Sequence, residues 1–160
     1  MTTLATLHAR DQAGLDALPE HDAYFDVDDR EFDAASRTLS LPFSQRVDQI
    51  VGVEGLPAVR ETRRTWRFEE HRVPAVRCVL RIRQVRAWSA RRGLNEPGML
   101  DGIDWDEARS RVTIHTVTGP EHVVDVDRLE VEVEITDQVD RQFRVRSGRL
   151  SGIESQQPWT

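Results

Sequence analysis

A strand–turn–strand pattern occurs twice in this chain, and it constrains the fold more than any other feature. The first copy runs from Val27 to Leu41 and the second from Leu100 to Ile114. In each copy an alternating apolar strand ends in an aromatic residue and an aspartate, and a polar turn, an arginine and a second alternating strand follow. The two copies predict a β-rich protein built from hairpins. Because their turns differ in length by one residue, we interpret them as a common hairpin solution, with pseudo-symmetric halves as the alternative.

The length of 160 residues is typical of one domain that buries its own hydrophobic core. We predict a leader over residues 1–20, a single β-rich domain over residues 21–150 and a tail over residues 151–160. The leader contains a predicted short helix that begins after an N-cap at Asp11 and ends at Pro19.

Short strands separated by turns are predicted for most of the remaining chain. Pro74 interrupts an alternating segment, so residues 65–88 form either two strands or one long bent strand. Residues 122–136 are predicted to form a long strand or a bulged pair, with a bulge near Asp127. Residues 44–64 are predicted to form a loop with a short strand or helix. The predicted fold class is mainly β, an antiparallel β-sandwich or partly open barrel built from hairpins, with a short N-terminal helix.

Composition excludes several classes of protein. The only cysteine, Cys78, lies in an apolar alternating segment, so we expect a buried thiol and no internal disulfide. The sequence has neither a run of about 18 apolar residues nor a signal-peptide pattern, and we expect a cytoplasmic protein of a bacterium-like cell without membrane contact. A net charge of −6 argues against double-stranded nucleic acid as a partner. All 22 basic residues are arginine, which we attribute to GC-rich codon usage rather than to one binding motif.

Two sets of residues are candidates for metal binding or catalysis. The acidic side chains near the first hairpin offer the oxygen ligands that Ca²⁺ or Mg²⁺ prefers, although a solvated surface is the favoured interpretation; they are Asp26, Asp28, Asp29, Glu31 and Asp33. His21 adjoins Asp22, and a meeting of His115 and His122 across the turn between them is one alternative, although exposed surface histidines are the favoured interpretation. The chain has no nucleophile elbow and no zinc-helix motif, so we expect no metal, no cofactor and no catalytic residue.

Two rows of charged side chains are the candidate partner-binding residues. Each row lies on the polar side of an alternating strand; the rows are Arg77, Arg81 and Arg83, and Glu130, Glu132 and Glu134. If the two strands are neighbours, the rows form a ladder of ion pairs across the sheet. If the strands lie apart, the rows are patches of opposite charge that steer a protein partner. We favour the ladder and keep the second alternative open.

Arginine and aromatic residues alternate between Arg60 and Arg72. Such a segment can bind single-stranded nucleic acid by stacking and by charge. In a strand, however, Trp66 and Phe68 share one side, which more often faces the core. The acidic net charge also makes nucleic acid the minor alternative.

The segment from Glu20 to Ala23, with the hairpin at Phe32 and Asp33 and its second copy at Trp105, resembles small bacterial β domains that include immunity-like proteins. That resemblance implies a protein that binds and neutralises a cognate toxin, and it implies no catalytic residue. The predicted function is therefore a non-catalytic protein-binding module. The alternatives are a small-molecule-binding or enzymatic β-barrel that uses His71, His115 or His122, and a subunit of a homodimer.

Overall fold

The computed structural model describes residues 1–18, 24–25, 30–91, 98–117 and 121–159. Twelve strands, one short α-helix and a 3₁₀ turn at Val47–Gln49 make up the described structure. The helix is α1 (Gln12–Asp16). The strands are β1 (Thr3–Ala9), β2 (Tyr24–Phe25), β3 (Glu31–Asp33), β4 (Thr38–Arg46), β5 (Arg60–Arg64), β6 (Phe68–Ile82), β7 (Val85–Arg91), β8 (Gly98–Asp106), β9 (Arg111–Val117), β10 (Glu121–Val126), β11 (Val131–Gly148) and β12 (Glu154–Pro158).

The strands form an antiparallel β-sandwich, as predicted, and the described strands do not close into a barrel. Hydrogen-bonded neighbours follow the order β1-β11-β6-β4-β2-β8-β9-β10-β7, while β3, β5 and β12 attach beside β4, β6 and β11. Within the described ranges, no helix combines the length and the apolar character needed to cross a membrane.

The core lies between the two halves of this strand order. Alternate residues of β4, β6 and β11 point into it from one side, for example Leu41, Leu80 and Val133. Ile114 of β9 and Val124 of β10 reach it from the other side, and all five side chains are at most 1% exposed. The period-2 alternation of the sequence therefore becomes the inner surface of the sandwich.

The two hairpin turns have the same length and the same backbone shape. Four residues follow Asp33 before β4 begins, and four follow Asp106 before β9 begins. The last turn residue has a φ of 51° in both hairpins, at Arg37 and at Ser110. The predicted difference of one residue is wrong, because Arg37 belongs to its turn whereas Arg111 already belongs to a strand.

Strand β6 is one continuous strand that contains Pro74, as in the second predicted alternative, but it ends at Ile82, and residues 85–88 of the predicted strand belong to β7. Pro74 lies opposite Gln142 of β11, where the other neighbour of β6 changes from β4 to β5. Among the described strands Pro74 has a register partner in β11 alone, so its missing N–H interrupts no second ladder. This position explains how a proline is accommodated inside a central strand.

Both chain ends join the sheet, which the division into leader, domain and tail did not anticipate. Helix α1 forms as predicted, and the Asp11 carboxylate accepts a hydrogen bond of 2.7 Å from the Gly14 backbone N–H. Strand β1 precedes that helix and pairs with residues 131–136 of β11. Strand β12 pairs with residues 143–147 along the same edge of β11 as β1 does. The predicted end of the helix at Pro19 falls outside the described residues.

Residues 122–136 form neither one long strand nor a bulged pair, so both predicted alternatives are wrong. Strand β10 ends at Val126 and β11 begins at Val131. Strand β10 pairs with β7 and β9, whereas β11 pairs with β1, β6 and β12. The apolar alternation changes phase near Asp127 because the chain there passes from β10, in one half of the strand order, to β11, in the other half.

Candidate functional site

The two predicted charged rows lie on neighbouring strands and form a ladder of ion pairs. Glu132 lies directly opposite Arg81 in the register of β11 and β6. Arg81 Nη1 lies 2.7 Å from Glu134 Oε2, and Arg83 Nη2 lies 2.5 Å from Glu132 Oε1. The hydrogen bond from Arg81 lowers the pKa of the Glu134 carboxyl. The acids of the ladder are thus neutralised inside the protein.

The remaining two candidates lie at the ends of this ladder. Glu130 precedes β11 and accepts a hydrogen bond of 3.2 Å from Gln84 Nε2. Arg77 lies opposite Ser44 of β4, and its backbone carbonyl accepts a hydrogen bond from Thr136 Oγ1. Use of these six residues by a partner stays a prediction.

We expect the pair of Arg81 and Glu134 to show a coupling free energy of about 0.5–1 kcal/mol, because both side chains are only partly exposed. A double-mutant cycle with Arg81→Gln and Glu134→Gln, followed by urea unfolding, measures it. The control is the exposed pair Arg109 and Asp106, whose nitrogen and oxygen lie 3.7 Å apart. Equal coupling in the two cycles would contradict the ladder.

The three histidines proposed for the alternative function lie apart. His115 Nε2 lies 2.9 Å from Asp104 and its Nδ1 lies 3.4 Å from Glu121, both at the surface. His122 points into the core and is 1% exposed. The favoured surface position is therefore wrong for His122. The alternative meeting of His115 and His122 is wrong as well, because the register of β9 and β10 places Ile114 opposite His122. His71 lies on β6.

Burial changes the pKa of two side chains in the core. Desolvation lowers the pKa of His122 to about 4, and neither ring nitrogen has a hydrogen-bond partner among the described residues. Desolvation raises the pKa of Cys78 to about 12, and this thiol is 0% exposed, as predicted. Cys78 is therefore held in its unreactive thiol form.

The predicted acidic cluster near the first hairpin is described only in part. Asp26, Asp28 and Asp29 lie outside the described residues, as does His21. Glu31 is exposed, and Asp33 accepts hydrogen bonds of 3.0 Å from Ala35 N and Ser36 Oγ. Asp33 thus stabilises the turn.

A second group of potential metal ligands, Glu61, Glu69 and His71, has ligand atoms within 4.8 Å of one another. Arg64 lies 2.6 Å from Glu61 and 3.4 Å from Glu69. The arginine therefore compensates the carboxylates that a cation would need.

The most distinctive surface lies beyond the sandwich, where β6 and β11 continue past their neighbours β4 and β1. There they pair with each other and with β5 and β12. We call this four-stranded extension the arm. It comprises β5, residues 68–75 of β6, residues 141–148 of β11, and β12, in the order β5-β6-β11-β12.

The two sides of the arm differ in charge. Residues directly opposite each other in register share one side of a sheet. On the side that we call the outer face, rows of partners cross the arm; they are Arg60, Arg72, Arg144 and Gln157, then Arg63, Glu70, Arg146 and Ser155. Among the described residues of these strands, five arginines on the outer face are accompanied by one carboxylate, that of Glu70.

Glu70 is shared by the arginines of β11. Arg146 Nη2 donates a hydrogen bond of 3.0 Å to Glu70 Oε1, and Arg144 Nε lies 3.6 Å from the same oxygen. Thr62 Oγ1 donates to Glu70 Oε2 at 3.1 Å. The hydrogen bond from Arg146 lowers the pKa of the Glu70 carboxyl. Glu70 thus holds two guanidinium groups in place while the outer face keeps an excess of positive charge.

Two aromatic rings contact the arginines of the outer face. The centroid of the Phe68 ring lies 4.1 Å from the Arg146 guanidinium carbon and 5.4 Å from that of Arg63. The centroid of the Trp159 ring lies 4.7 Å from the Arg144 guanidinium carbon and 5.0 Å from that of Arg72. These cation–π contacts restrict the guanidinium groups without neutralising them.

Two depressions open on the outer face. The larger has a volume of about 290 Å³, and its polar lining consists of Arg60, Arg72 and Gln142. Its apolar walls include Pro74 and Val139. The smaller, of about 80 Å³, is lined by Arg144, Arg146, Ser155 and Gln157.

The inner face of the arm is anchored by a buried arginine. Arg46, at the end of β4, is 4% exposed. Arg46 Nη1 lies 3.1 Å from Glu154 Oε1 and 2.5 Å from Gln156 Oε1, both on β12. Arg46 Nη2 also lies 2.5 Å from Asp48 Oδ2. One guanidinium group therefore joins the sandwich to the last strand of the arm.

Comparison of the chain with protein-family models, with curated protein sequences and with solved structures finds no match. The site is therefore defined by its own geometry.

The sequence predicts the part of the outer face that lies on β5 and β6, but not the part on β11 and beyond β12. The alternation between Arg60 and Arg72 was identified, but Arg144, Arg146 and Trp159 were not associated with it. Trp66 was placed on the core side together with Phe68, and that is wrong, because Trp66 lies in the β5–β6 turn and is 67% exposed. The Thr65 hydroxyl oxygen accepts hydrogen bonds from the backbone N–H groups of Arg67 and Phe68, and these bonds close the turn.

Proposed function

We propose that this protein is a non-catalytic module that binds a partner protein through the outer face of the arm. One observation carries the proposal. In a chain with a net charge of −6, five arginines and two aromatic rings share a surface on which the described residues place a single carboxylate. Arginine and aromatic side chains are enriched at the centres of protein interfaces.

The positions of the titratable groups favour binding over catalysis. His71, His115 and His122 lie on three different strands and share no cavity among the described residues. The Cys78 thiol is buried and protonated. A nucleophilic or acid–base site requires such groups within hydrogen-bond reach of each other.

The proposal includes the narrower role that the resemblance implies, an immunity-type function in a bacterial cytoplasm. Under that role the partner is a toxin. A homodimer stays a further prediction.

The test compares three immobilised baits in an extract of the source cells. They are the wild-type protein, the arm variant Arg60→Glu/Arg63→Glu, and the control variant Arg109→Glu/Arg128→Glu. Both variants reverse two exposed charges, but only the first changes the arm. We expect a protein that the wild type and the control retain and the arm variant loses.

That protein is then purified, and its Kd for each variant is measured by calorimetry. We expect the arm variant to bind at least tenfold more weakly than the control, as charge pairs at an interface allow. Equal affinities of the two variants, or turnover of a small molecule by the wild type, would overturn the proposal.

A further inference from the structure

We propose, on the basis of the protein-binding function above, that the partner contributes an extended acidic segment and that one of its carboxylates enters the cleft between Arg60 and Arg72. The segment lies across the strands of the outer face. The inference rests on which arginines lack a carboxylate, on how Arg72 is held, and on what covers the aromatic rings.

Three arginines of the outer face have no acidic partner within ion-pair distance in the described part of the chain. Glu70 serves Arg144 and Arg146, whereas no carboxylate oxygen lies within 4.0 Å of Arg60, Arg63 or Arg72. Elsewhere most arginines pair, as Arg81, Arg83 and Arg111 do. Two of these three arginines, Arg60 and Arg72, line the larger cleft, so the cleft carries two guanidinium groups without a carboxylate partner among the described residues.

Arg72 is oriented for a ligand before any ligand binds. Its Nε donates to Gln142 Oε1, and its guanidinium group lies 5.0 Å from the centre of the Trp159 ring. Neither Nη atom has a hydrogen-bond acceptor among the described residues, so both remain available for a carboxylate. Arg60, opposite in the register, contributes the second cation. Preorganisation of this kind reduces the entropy lost on binding.

The cleft suits a carboxylate on a short apolar stem. Its walls are formed by Pro57, Ala58, Pro74 and Val139, and its charged groups lie at Arg60 and Arg72. A glutamate side chain combines these two properties. The row from Arg60 to Arg144 spans two strand spacings, about 10 Å, which is the length of about three extended residues.

The same contacts argue against single-stranded nucleic acid. Bases bind such surfaces by stacking on open aromatic rings. Here two guanidinium groups lie against the Phe68 ring and two against the Trp159 ring, and Arg67 lies 4.6 Å from the Trp66 ring. The rings therefore orient the arginines, and the arginines face the ligand.

Fluorescence anisotropy tests the inference with three labelled probes. The first is an octapeptide of alternating glutamate and serine, the second replaces each glutamate by glutamine, and the third is an eight-nucleotide oligothymidylate. We expect the wild type to bind the glutamate peptide at least tenfold more tightly than either other probe. Tighter binding of the oligonucleotide would overturn the acidic segment in favour of nucleic acid.

The double variant Arg60→Gln/Arg72→Gln is expected to bind the glutamate peptide at least tenfold more weakly than the wild type. The control Arg109→Gln/Arg128→Gln removes the same charge from the turns after Asp106 and Val126, and we expect a change of less than twofold. A similar loss in both double variants would show a general charge effect and contradict the cleft.

The single variant Arg60→Gln keeps the test decisive if the double variant does not fold, because Arg60 is exposed and makes no ion pair in the described structure. It should weaken peptide binding at least threefold, and an unchanged affinity would refute the role of Arg60. If the purified partner binds through the arm while the glutamate peptide does not bind, this inference fails and the proposed function stands. If the peptide binds and no protein depends on the arm, the proposed function fails instead.

Discussion

Replacing Arg46 with methionine is expected to lower the free energy of unfolding by about 1–3 kcal/mol, because the hydrogen-bond partners of a buried guanidinium group lose their donor. Arg46 is 4% exposed and contacts Asp48, Glu154 and Gln156. Without the guanidinium group, two carboxylates and an amide lose their donor at the junction of the sandwich and the arm. Urea unfolding monitored by tryptophan fluorescence measures the loss.

The matched control is Arg37→Met. Arg37 makes an ion pair of 2.6 Å with Asp127, but its side chain is 48% exposed. Solvent screens this pair, and we expect a loss below about 1 kcal/mol. Equal losses in the two variants would show that Arg46 is not the anchor of β12.

His122→Leu is expected to remove the part of the acid sensitivity of the fold that the buried imidazole causes. The folded-state pKa of His122 is about 4, below the value of about 6.5 in an unfolded chain. As the pH falls from about 6.5 to 4, the unfolded chain takes up a proton that the folded protein excludes, and the free energy of unfolding decreases by up to about 3 kcal/mol. Leucine at this buried position binds no proton, so that decrease disappears.

The measurement is urea unfolding of wild type and variant at pH 7 and at pH 4.5. The stability of His122→Leu relative to wild type should increase by about 2–3 kcal/mol between the two pH values. The control His8→Leu removes an imidazole whose side chain is 62% exposed, so no buried imidazole is lost. Identical pH dependence of wild type and His122→Leu would contradict the burial of a neutral imidazole.

The sandwich could be predicted from the sequence because its signals are local. Apolar side chains alternate along residues 76–82, and an aspartate begins each of the two hairpin turns. Each of these signals involves residues that are close together in the sequence. Strand β1 has a weak signal of the same kind, since Ala5, Leu7 and Ala9 alternate. The first four residues of β12 are polar, and its position depends on Arg46, more than 100 residues earlier in the chain. No local pattern identifies such a strand.

The charged surfaces also include one that local sequence patterns predict and one that they do not. The ladder of Arg81, Arg83, Glu132 and Glu134 was predicted because each row lies on one side of one strand. The outer face of the arm combines β5 and β6 with β11 and β12, and pairing between distant segments decides which arginines meet. The attribution of the arginines to codon usage gave no reason to look for such a face.

The continuation of β6 and β11 beyond the sandwich has a consequence for how this protein can change. The hydrophobic core extends under the arm as far as Val73, Phe143 and Val145, whereas the arginines that we assign to recognition lie on the opposite, outer face of the arm. Side chains on the outer face of the arm can be replaced by others of different charge while the hydrophobic core keeps its contacts. Such a protein can acquire a new partner through substitutions in the arm while its fold stays the same.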